Sequence, residues 1–117
     1  MSEGQLATAG NKGSAVRSDC WISIKIETSG GIDIQMKSKV ESLYGESNIN
    51  LIRAMMSFYE IENAVITIED SGALPFVIMA RIEAVIRKLG LDQNKRYLPD
   101  WENTPPESSR DRFRRSR

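Results

Sequence analysis

Two hydroxyls, one carboxylate and the only thiol of the chain lie in the short stretch from Ser14 to Cys20. These are the side chains whose types and spacing could do chemistry. The chain has no histidine, however, so it lacks the usual general base, the Ser-His-Asp triad and the commonest metal ligand. Without a base to activate them, Ser14 and Ser18 are by themselves typical solvated loop residues. Most classes of enzyme are therefore disfavoured.

Cys20 is predicted to be structural. It stands where a strand begins, and a small buried hydrophobic residue is the common use of a free cysteine there. A reactive thiol would need surroundings that stabilise the thiolate. With one cysteine in the chain, an intrachain disulfide cannot form, and without histidine a structural zinc site is close to impossible.

The bulk composition predicts one small globular domain. The chain has 117 residues, 40% hydrophobic content and a formal net charge of zero, so charge gives no argument for nucleic acid or membrane. No apolar run approaches the ~20 residues needed to span a bilayer. Residues 1–13 lack the layout of a signal peptide. We therefore expect a cytoplasmic protein.

The elements that must position the Ser14–Cys20 stretch are predicted from periodicity. Over residues 20–27 the isoleucines alternate with polar residues, which predicts a half-buried strand, and residues 32–37 repeat the pattern. The turn at residues 29–31, with two glycines, indicates that these two strands form a hairpin. A third strand is predicted over residues 64–69.

Two amphipathic helices are predicted. The first starts from an N-cap at Ser47 and ends near Tyr59, and the second covers residues 74–89 with Pro75 in its first turn. Gly90 suits the position just past the end of the second helix. The predicted buried stripe of the second helix consists of Ile78, Ile82, Val85 and Leu89.

The fold class is therefore α+β, a small two-layer β-β-α-β-α domain in which two helices pack on a three-stranded sheet. We expect the domain to cover residues 20–90. Residues 1–19, rich in Gly, Ser, Ala and Thr, are predicted to be a flexible lead-in. Residues 91–117, with three prolines among acids and serines, are predicted to be a disordered linker or tail.

One block of sequence resembles a known family. The chain reads D-S-G-A-L at residues 70–74 and A-R-I-E-A at residues 80–84, on a strand that leads into a helix. This resembles the acyl carrier protein, or gamma subunit, of citrate lyase, and the likeness extends from Ala9 to Leu89. Asp70 and Gly72 otherwise predict a helix start, and Arg81 a flanking charge. The alternative is that these three residues present a tether or dock a partner.

The resemblance implies a carrier without catalysis of its own. In the family a loop serine forms a phosphodiester with 2'-(5''-phosphoribosyl)-3'-dephospho-CoA, whose thiol carries acetyl and then citryl. The family spacing runs from Ala-Gly over three residues to Ser, then over one residue to Asp. Counting forward from Ala9-Gly10 selects Ser14, whereas counting back from the strand pairs Ser18 with Asp19. We favour Ser18, which adjoins the strand, with Ser14 as the alternative.

The same resemblance implies the partners. They are the alpha (transferase) and beta (lyase) type subunits of citrate lyase and a prosthetic-group transferase. Apart from the resemblance, we expect no membrane partner, and nucleic acid is disfavoured as a partner. The nearest alternative is the carrier of malonate decarboxylase, whose loop also resembles Gly13-Ser14.

The end of the chain contains an arginine-rich segment that shows a second resemblance. Residues 110–117 read RDRFRRSR, with five arginines in eight residues. This resembles the segment that precedes the first barrel strand of the citrate lyase beta subunit, so the chain could be the carrier part of a carrier–lyase fusion. The competing interpretation is a non-catalytic interaction module whose basic tail binds RNA or an acidic partner.

Overall fold

A computed structural model of the chain describes residues 5–38 and 45–98. The predictions made for residues 99–117, including the arginine cluster, lie outside these residues. The described chain forms, in order, β1 (Leu6–Gly10), β2 (Asp19–Ile26), β3 (Ile32–Ser38), α1 (Gly45–Phe58), β4 (Ala64–Ser71) and α2 (Pro75–Lys88).

The sheet has four strands in the order β1-β2-β4-β3, so the predicted three-stranded sheet is wrong by one strand. The missed strand, β1, lies within the segment predicted to be a flexible lead-in, and it pairs antiparallel with β2. Its sequence is LATAG, which contains two alanines and a glycine and lacks a β-branched apolar alternation. Such residues carry little strand propensity, and β1 forms because β2 offers it a free edge.

The predicted hairpin between the second and third strands is also wrong, because β4 lies between them. It pairs antiparallel with β2 and parallel with β3, so that Ile68 faces Ile22 on one side and Met36 on the other. A parallel pair needs a crossover connection, and α1 supplies it between β3 and β4. β2 and β4 are therefore the two inner strands of the sheet, and β1 and β3 lie at its edges.

Both helices pack on the same face of the sheet and enclose one core. All four residues of the predicted stripe of α2 are buried, and Ile52, Met55, Met56 and Tyr59 contribute the stripe of α1. Each isoleucine buried in this way contributes about 1.5–3 kcal/mol of hydrophobic stabilisation. The packing fixes α2 against β1 and β2, next to the loop that joins those strands.

The helix ends agree in part with the predictions. α2 begins at Pro75, and Gly90 follows it with φ 74°, as expected for a helix stop. α1 begins at Gly45, so the predicted N-cap Ser47 lies inside the helix and that prediction is wrong. Over residues 5–38 and 45–98, neither helix has the length and the hydropathy needed to cross a bilayer.

Candidate functional site

Residues 11–18 form the loop between β1 and β2, called the 11–18 loop below, and both predicted serines lie on it. Its two ends are closed by Asn11, whose backbone N–H donates to the carbonyl oxygen of Cys20 at 3.1 Å. Inside the loop, the N–H of Val16 donates to the carbonyl of Gly13 at 3.2 Å and forms a turn. The loop therefore begins and ends at two strands that are hydrogen-bonded to each other, so its two ends lie close together.

The carboxylate of Asp19 lies at the base of this loop and accepts four hydrogen bonds. Arg81 donates two of them in a bidentate arrangement, from Nε to Oδ1 at 3.0 Å and from a terminal nitrogen to Oδ2 at 2.7 Å. Asn11 Nδ2 donates to Oδ2 at 2.8 Å, and the N–H of Cys20 donates to Oδ1 at 2.7 Å. One side chain therefore joins the start of the loop, the start of β2 and the middle of α2.

These contacts keep Asp19 ionised. The Arg81 hydrogen bonds lower the pKa of Asp19 to about 2, and the donors Asn11 and Cys20 N–H act in the same direction against the effect of burial. The same hydrogen bonds raise the pKa of Arg81. The pair is thus charged on both sides throughout the physiological range of pH, so the attraction across it is always present.

Ser18 is exposed, but its backbone is held tightly. Its N–H donates to the carbonyl oxygen of Ser71 at 2.7 Å, which ties the end of the loop to the end of β4. Its φ is 58°, in the left-handed region that a residue with a side chain adopts at a cost of ~1 kcal/mol or more. The adjoining residue across this contact is Gly72, which places no side chain beside Ser18.

Ser14 lies on the other side of the loop, also exposed, with its carbonyl oxygen accepting from Arg17 at 3.1 Å. It borders a cleft of about 320 Å³ between the loop and the ends of β3 and β4. The cleft is lined by Gly13, Ser14, Lys37, Ser38, Glu69, Asp70 and Ser71. The structure therefore brings Ser18 and Asp19 together at the loop base and leaves Ser14 at the cleft.

Asp70 and Gly72 shape the start of α2. The Asp70 carboxylate is 2% exposed, and its Oδ1 accepts from the N–H groups of Gly72 and Ala73 at 3.0 and 2.9 Å. Gly72 has φ 91°, which favours glycine at this turn. The D-S-G-A-L block therefore forms a turn that satisfies backbone donors ahead of the helix, in agreement with the helix-start interpretation.

Cys20 is not available for chemistry. Its side chain is fully buried in the core, and burial raises the pKa of its thiol to about 12, with the charges of Asp19 and Asp70 acting in the same direction. The prediction of a small buried residue is confirmed. Over the two described ranges, no group of three or more His, Cys, Asp or Glu is placed to hold a metal ion.

Sequence reasoning missed the contacts of Arg81 and Asn11 with Asp19. Arg81 is 62 positions from Asp19 along the chain, and no local pattern links the two. Asn11 directly follows the Ala9-Gly10 pair, but an amide after a glycine is common in loops and predicts no particular partner. Only the packing of α2 beside the 11–18 loop reveals the connection.

Comparisons with known proteins add to this geometry. The acyl-carrier-protein family model described as malonate decarboxylase delta subunit matches residues 5–89. The citrate lyase acyl carrier protein of Haemophilus ducreyi is 37% identical over 65 residues, or 56% of this chain and 68% of that protein. Its counterpart in Vibrio cholerae (strain ATCC 39541) is 32% identical over 76 residues, or 65% and 78% of the two chains. That of Lactobacillus helveticus is 35% identical over 98 residues, or 84% and 97%.

No solved structure matches the chain significantly. The family match nevertheless includes all six elements of the fold, together with the 11–18 loop, Asp19 and Arg81. The aligned region also covers more than two thirds of the length of each of these relatives. On this evidence the chain belongs to the acyl carrier protein family of citrate lyase and malonate decarboxylase.

Proposed function

We propose that this chain is the acyl carrier of a citrate-lyase-like complex and that Ser18 is the point where its prosthetic arm is attached. The placement of Ser18 is the observation that supports this most, since the side chain is exposed while the backbone is fixed by the 2.7 Å bond to Ser71. The arm, when attached, supplies a thiol that holds acetyl or citryl as a thioester. Cys20 does not supply that thiol, because it is buried.

The residues around Ser18 fit an attached phosphodiester of the 2'-(5''-phosphoribosyl)-3'-dephospho-CoA type. Gly72 places no side chain beside the backbone of Ser18, and Arg17 brings a positive charge next to Ser18 in the chain. α2 begins four residues after Ser71, and the N-terminus of a helix favours nearby negative charge by ~0.3–1 kcal/mol. The neighbouring carboxylate of Asp19 is neutralised by Arg81, so it does not repel the phosphate strongly.

Ser14 stays the alternative attachment point. It borders the cleft that contains Lys37, whose ammonium group favours a phosphodiester, although the carboxylates of Glu69 and Asp70 in the same cleft oppose it. Its disadvantage is position, because it lies four residues further from β2 than Ser18 does. An arm attached to Ser14 would therefore begin further along the chain from the start of β2.

The partners in this proposal act on the arm in turn. A prosthetic-group transferase attaches it, an alpha-type transferase exchanges acetyl for citryl, and a beta-type lyase releases oxaloacetate. The chain contributes a fixed root and an exposed hydroxyl, and tethering raises the effective concentration of the acyl group at each partner. It performs no catalysis itself, and we place it with these enzymes in the cytoplasm.

The test is the mass of the chain produced together with the prosthetic-group transferase and the enzyme that makes the precursor. We expect an added mass equal to that of the free arm minus one water, because the phosphodiester joins the terminal phosphate of the arm to the serine oxygen, and any further leaving group comes from the activated precursor. Trypsin then separates the two candidates, because it cuts after Lys12 and Arg17 and leaves Ser14 on residues 13–17 and Ser18 on residues 18–25. We expect the adduct on the peptide of residues 18–25.

The matched control is Ser29→Ala, an exposed serine at the opposite end of β2. We expect Ser29→Ala to be modified like the wild type and Ser18→Ala to be unmodified. An adduct on residues 13–17 would move the attachment to Ser14. An unmodified wild-type chain, with a citrate lyase acyl carrier from a relative modified in parallel, would contradict the proposed function.

A malonate decarboxylase carrier is the second candidate, and the description of the matching family model favours it. The two functions differ only in the acyl group and in the partner enzymes. Incubating the loaded, acetylated chain with each alpha-type transferase distinguishes them. Citryl transfer supports the first candidate, and malonyl transfer without citryl transfer supports the second.

A further inference from the structure

The Asp19–Arg81 pair, called the clamp below, is built unlike an ordinary surface ion pair. The side chains are 14% and 34% exposed, and both nitrogens of the guanidinium fork that face the carboxylate are used. A bidentate arrangement of this kind fixes direction as well as distance. By contrast, Arg87 of the same helix reaches Glu83 through one nitrogen and is 49% exposed.

The clamp is not needed to hold α2 in place. Ile78, Ile82, Val85 and Ile86 are fully buried on that helix and anchor it to the sheet. An ion pair with one partner a third exposed adds little to stability beside such a stripe. The clamp instead acts on the 11–18 loop, because Asp19 also accepts from Asn11 at the start of the loop.

We propose that Arg81 is a positioning residue for the attachment reaction, holding the root of the 11–18 loop through Asp19 so that Ser18 is presented in one orientation. This rests on the proposed function. Exposed loops with few apolar contacts open at little cost in free energy, so a hydroxyl on such a loop samples many orientations. A prosthetic-group transferase that must bring a phosphoryl group into line with that hydroxyl gains from a root that is already fixed.

The position of the clamp matches this role. Asp19 directly follows Ser18, and Ser18 is itself bonded to Ser71 at the end of β4. The backbone of Ser18 is therefore held from β4 on one side and from α2, through Asp19, on the other. Releasing Arg81 removes the connection to α2 and leaves the β4 contact and the Asn11 hydrogen bond to Asp19, so the strained φ of 58° at Ser18 has less to maintain it.

The experiment compares Arg81→Gln with Arg81→Lys and with the control Arg87→Gln, in the full chain. Three quantities are measured for each variant: amide hydrogen exchange in the 11–18 loop, the kcat and KM for loading by the prosthetic-group transferase, and the midpoint of denaturation. Arg81→Lys keeps the charge but loses the fork, so it tests the bidentate geometry.

For Arg81→Gln we expect the Asn11 and Ser18 amides to exchange about tenfold faster, the scale on which a hydrogen bond to a charged group acts. We expect the kcat for loading to fall about tenfold with KM little changed, because the transferase meets the same surface in a less ordered state. Arg81→Lys should lie between the wild type and Arg81→Gln. The midpoint should move no further than in Arg87→Gln.

Loading of Arg81→Gln at the rate of Arg87→Gln would overturn the positioning role, whatever the exchange rates show. A fall in loading that simply follows a lowered denaturation midpoint would overturn it as well. A wild-type chain that is not loaded at all contradicts the proposed function instead. In that case the clamp is judged on exchange alone, and unchanged loop amides in Arg81→Gln refute it.

Discussion

Gly10 lies against the backbone of Cys20 so closely that a Cβ on Gly10 would stand 2.0 Å from the carbonyl oxygen of Cys20. That oxygen also accepts the N–H of Asn11, which closes the 11–18 loop. The glycine of the Ala-Gly pair is therefore required by the approach of two strands at the start of the loop. It shapes the site without taking part in any chemistry.

This contact predicts a large cost for Gly10→Ala. The added methyl meets backbone that cannot move without breaking the β1–β2 pairing, and φ at this residue is 100°. We expect the free energy of unfolding to fall by ~2–4 kcal/mol, measured by chemical denaturation. Gly30→Ala is the control, because Gly30 has φ 101° with nothing within 4 Å of the added Cβ. Equal losses in both variants would show that the contact with Cys20 is unimportant.

Replacing the buried Asn48 by an apolar residue should stabilise the protein. It is fully buried on α1, and neither Nδ2 nor Oδ1 has a hydrogen-bond partner among the residues described. A buried polar group left unpaired costs about 1–3 kcal/mol, so Asn48→Leu should raise the free energy of unfolding by ~1–2 kcal/mol. Asn50→Leu, the same change at an exposed position two residues away, should stay within ~0.5 kcal/mol. A destabilised Asn48→Leu would mean that the amide has a structural partner.

Asp19 predicts a defined dependence of stability on pH. Its pKa in the folded chain is about 2, below its ordinary value, so its contribution is complete above about pH 4 and is lost as the pH falls through about 2. Because Arg81 is a third exposed and solvent screens the pair, we expect this contribution to be no more than about 1 kcal/mol.

Denaturation of the wild type and of Asp19→Asn between pH 6 and pH 2 measures this effect. The difference in unfolding free energy should be largest at the upper end of the range and should shrink toward pH 2. Arg53→Gln, a change at an exposed arginine of α1 that is not a partner of Asp19, should keep the pH profile of the wild type. A difference that grows as the pH falls has the wrong sign for a carboxylate with a lowered pKa.

The helices were predictable because their signals are local. In α2 the apolar residues recur at the helical period, Pro75 stands in the first turn and Gly90 follows the end, and all of these act within one segment. The packing then buries the residues that the period selects, with Ile78 and Ile82 fully buried.

The neighbours of each strand were not predictable in the same way. The isoleucines of β2 alternate identically whether β3 or β4 lies beside them, so the pattern indicates a face and leaves the partner open. A turn with two glycines is compatible with a hairpin, but residues 27–31 are also long enough to pass over the end of β4. β1 was missed because its pairing depends on β2 more than on its own residues.

The same difference between local signals and long-range contacts applies to the residues of the candidate site. Ser14, Ser18 and Asp19 could be selected from the sequence, because the resemblance and the adjacency to a strand are both visible there. The connection of Asp19 to Arg81 depends on how α2 packs, and a pair 62 positions apart leaves no periodic signal. The cleft beside Ser14 likewise exists only once the ends of β3 and β4 meet the loop.

A count of thiols in the native chain tests the central claim most directly, namely that the reactive sulfur is carried on an attached arm. Since Cys20 is buried and the pKa of its thiol is raised to about 12, the unloaded chain should show no thiol that reacts quickly with a disulfide reagent at neutral pH. After production with the attachment enzymes, the native chain should show one reactive thiol. The double variant Ser14→Ala, Ser18→Ala should again show none. A loaded chain without a reactive thiol, or a double variant that still acquires one, would contradict the account.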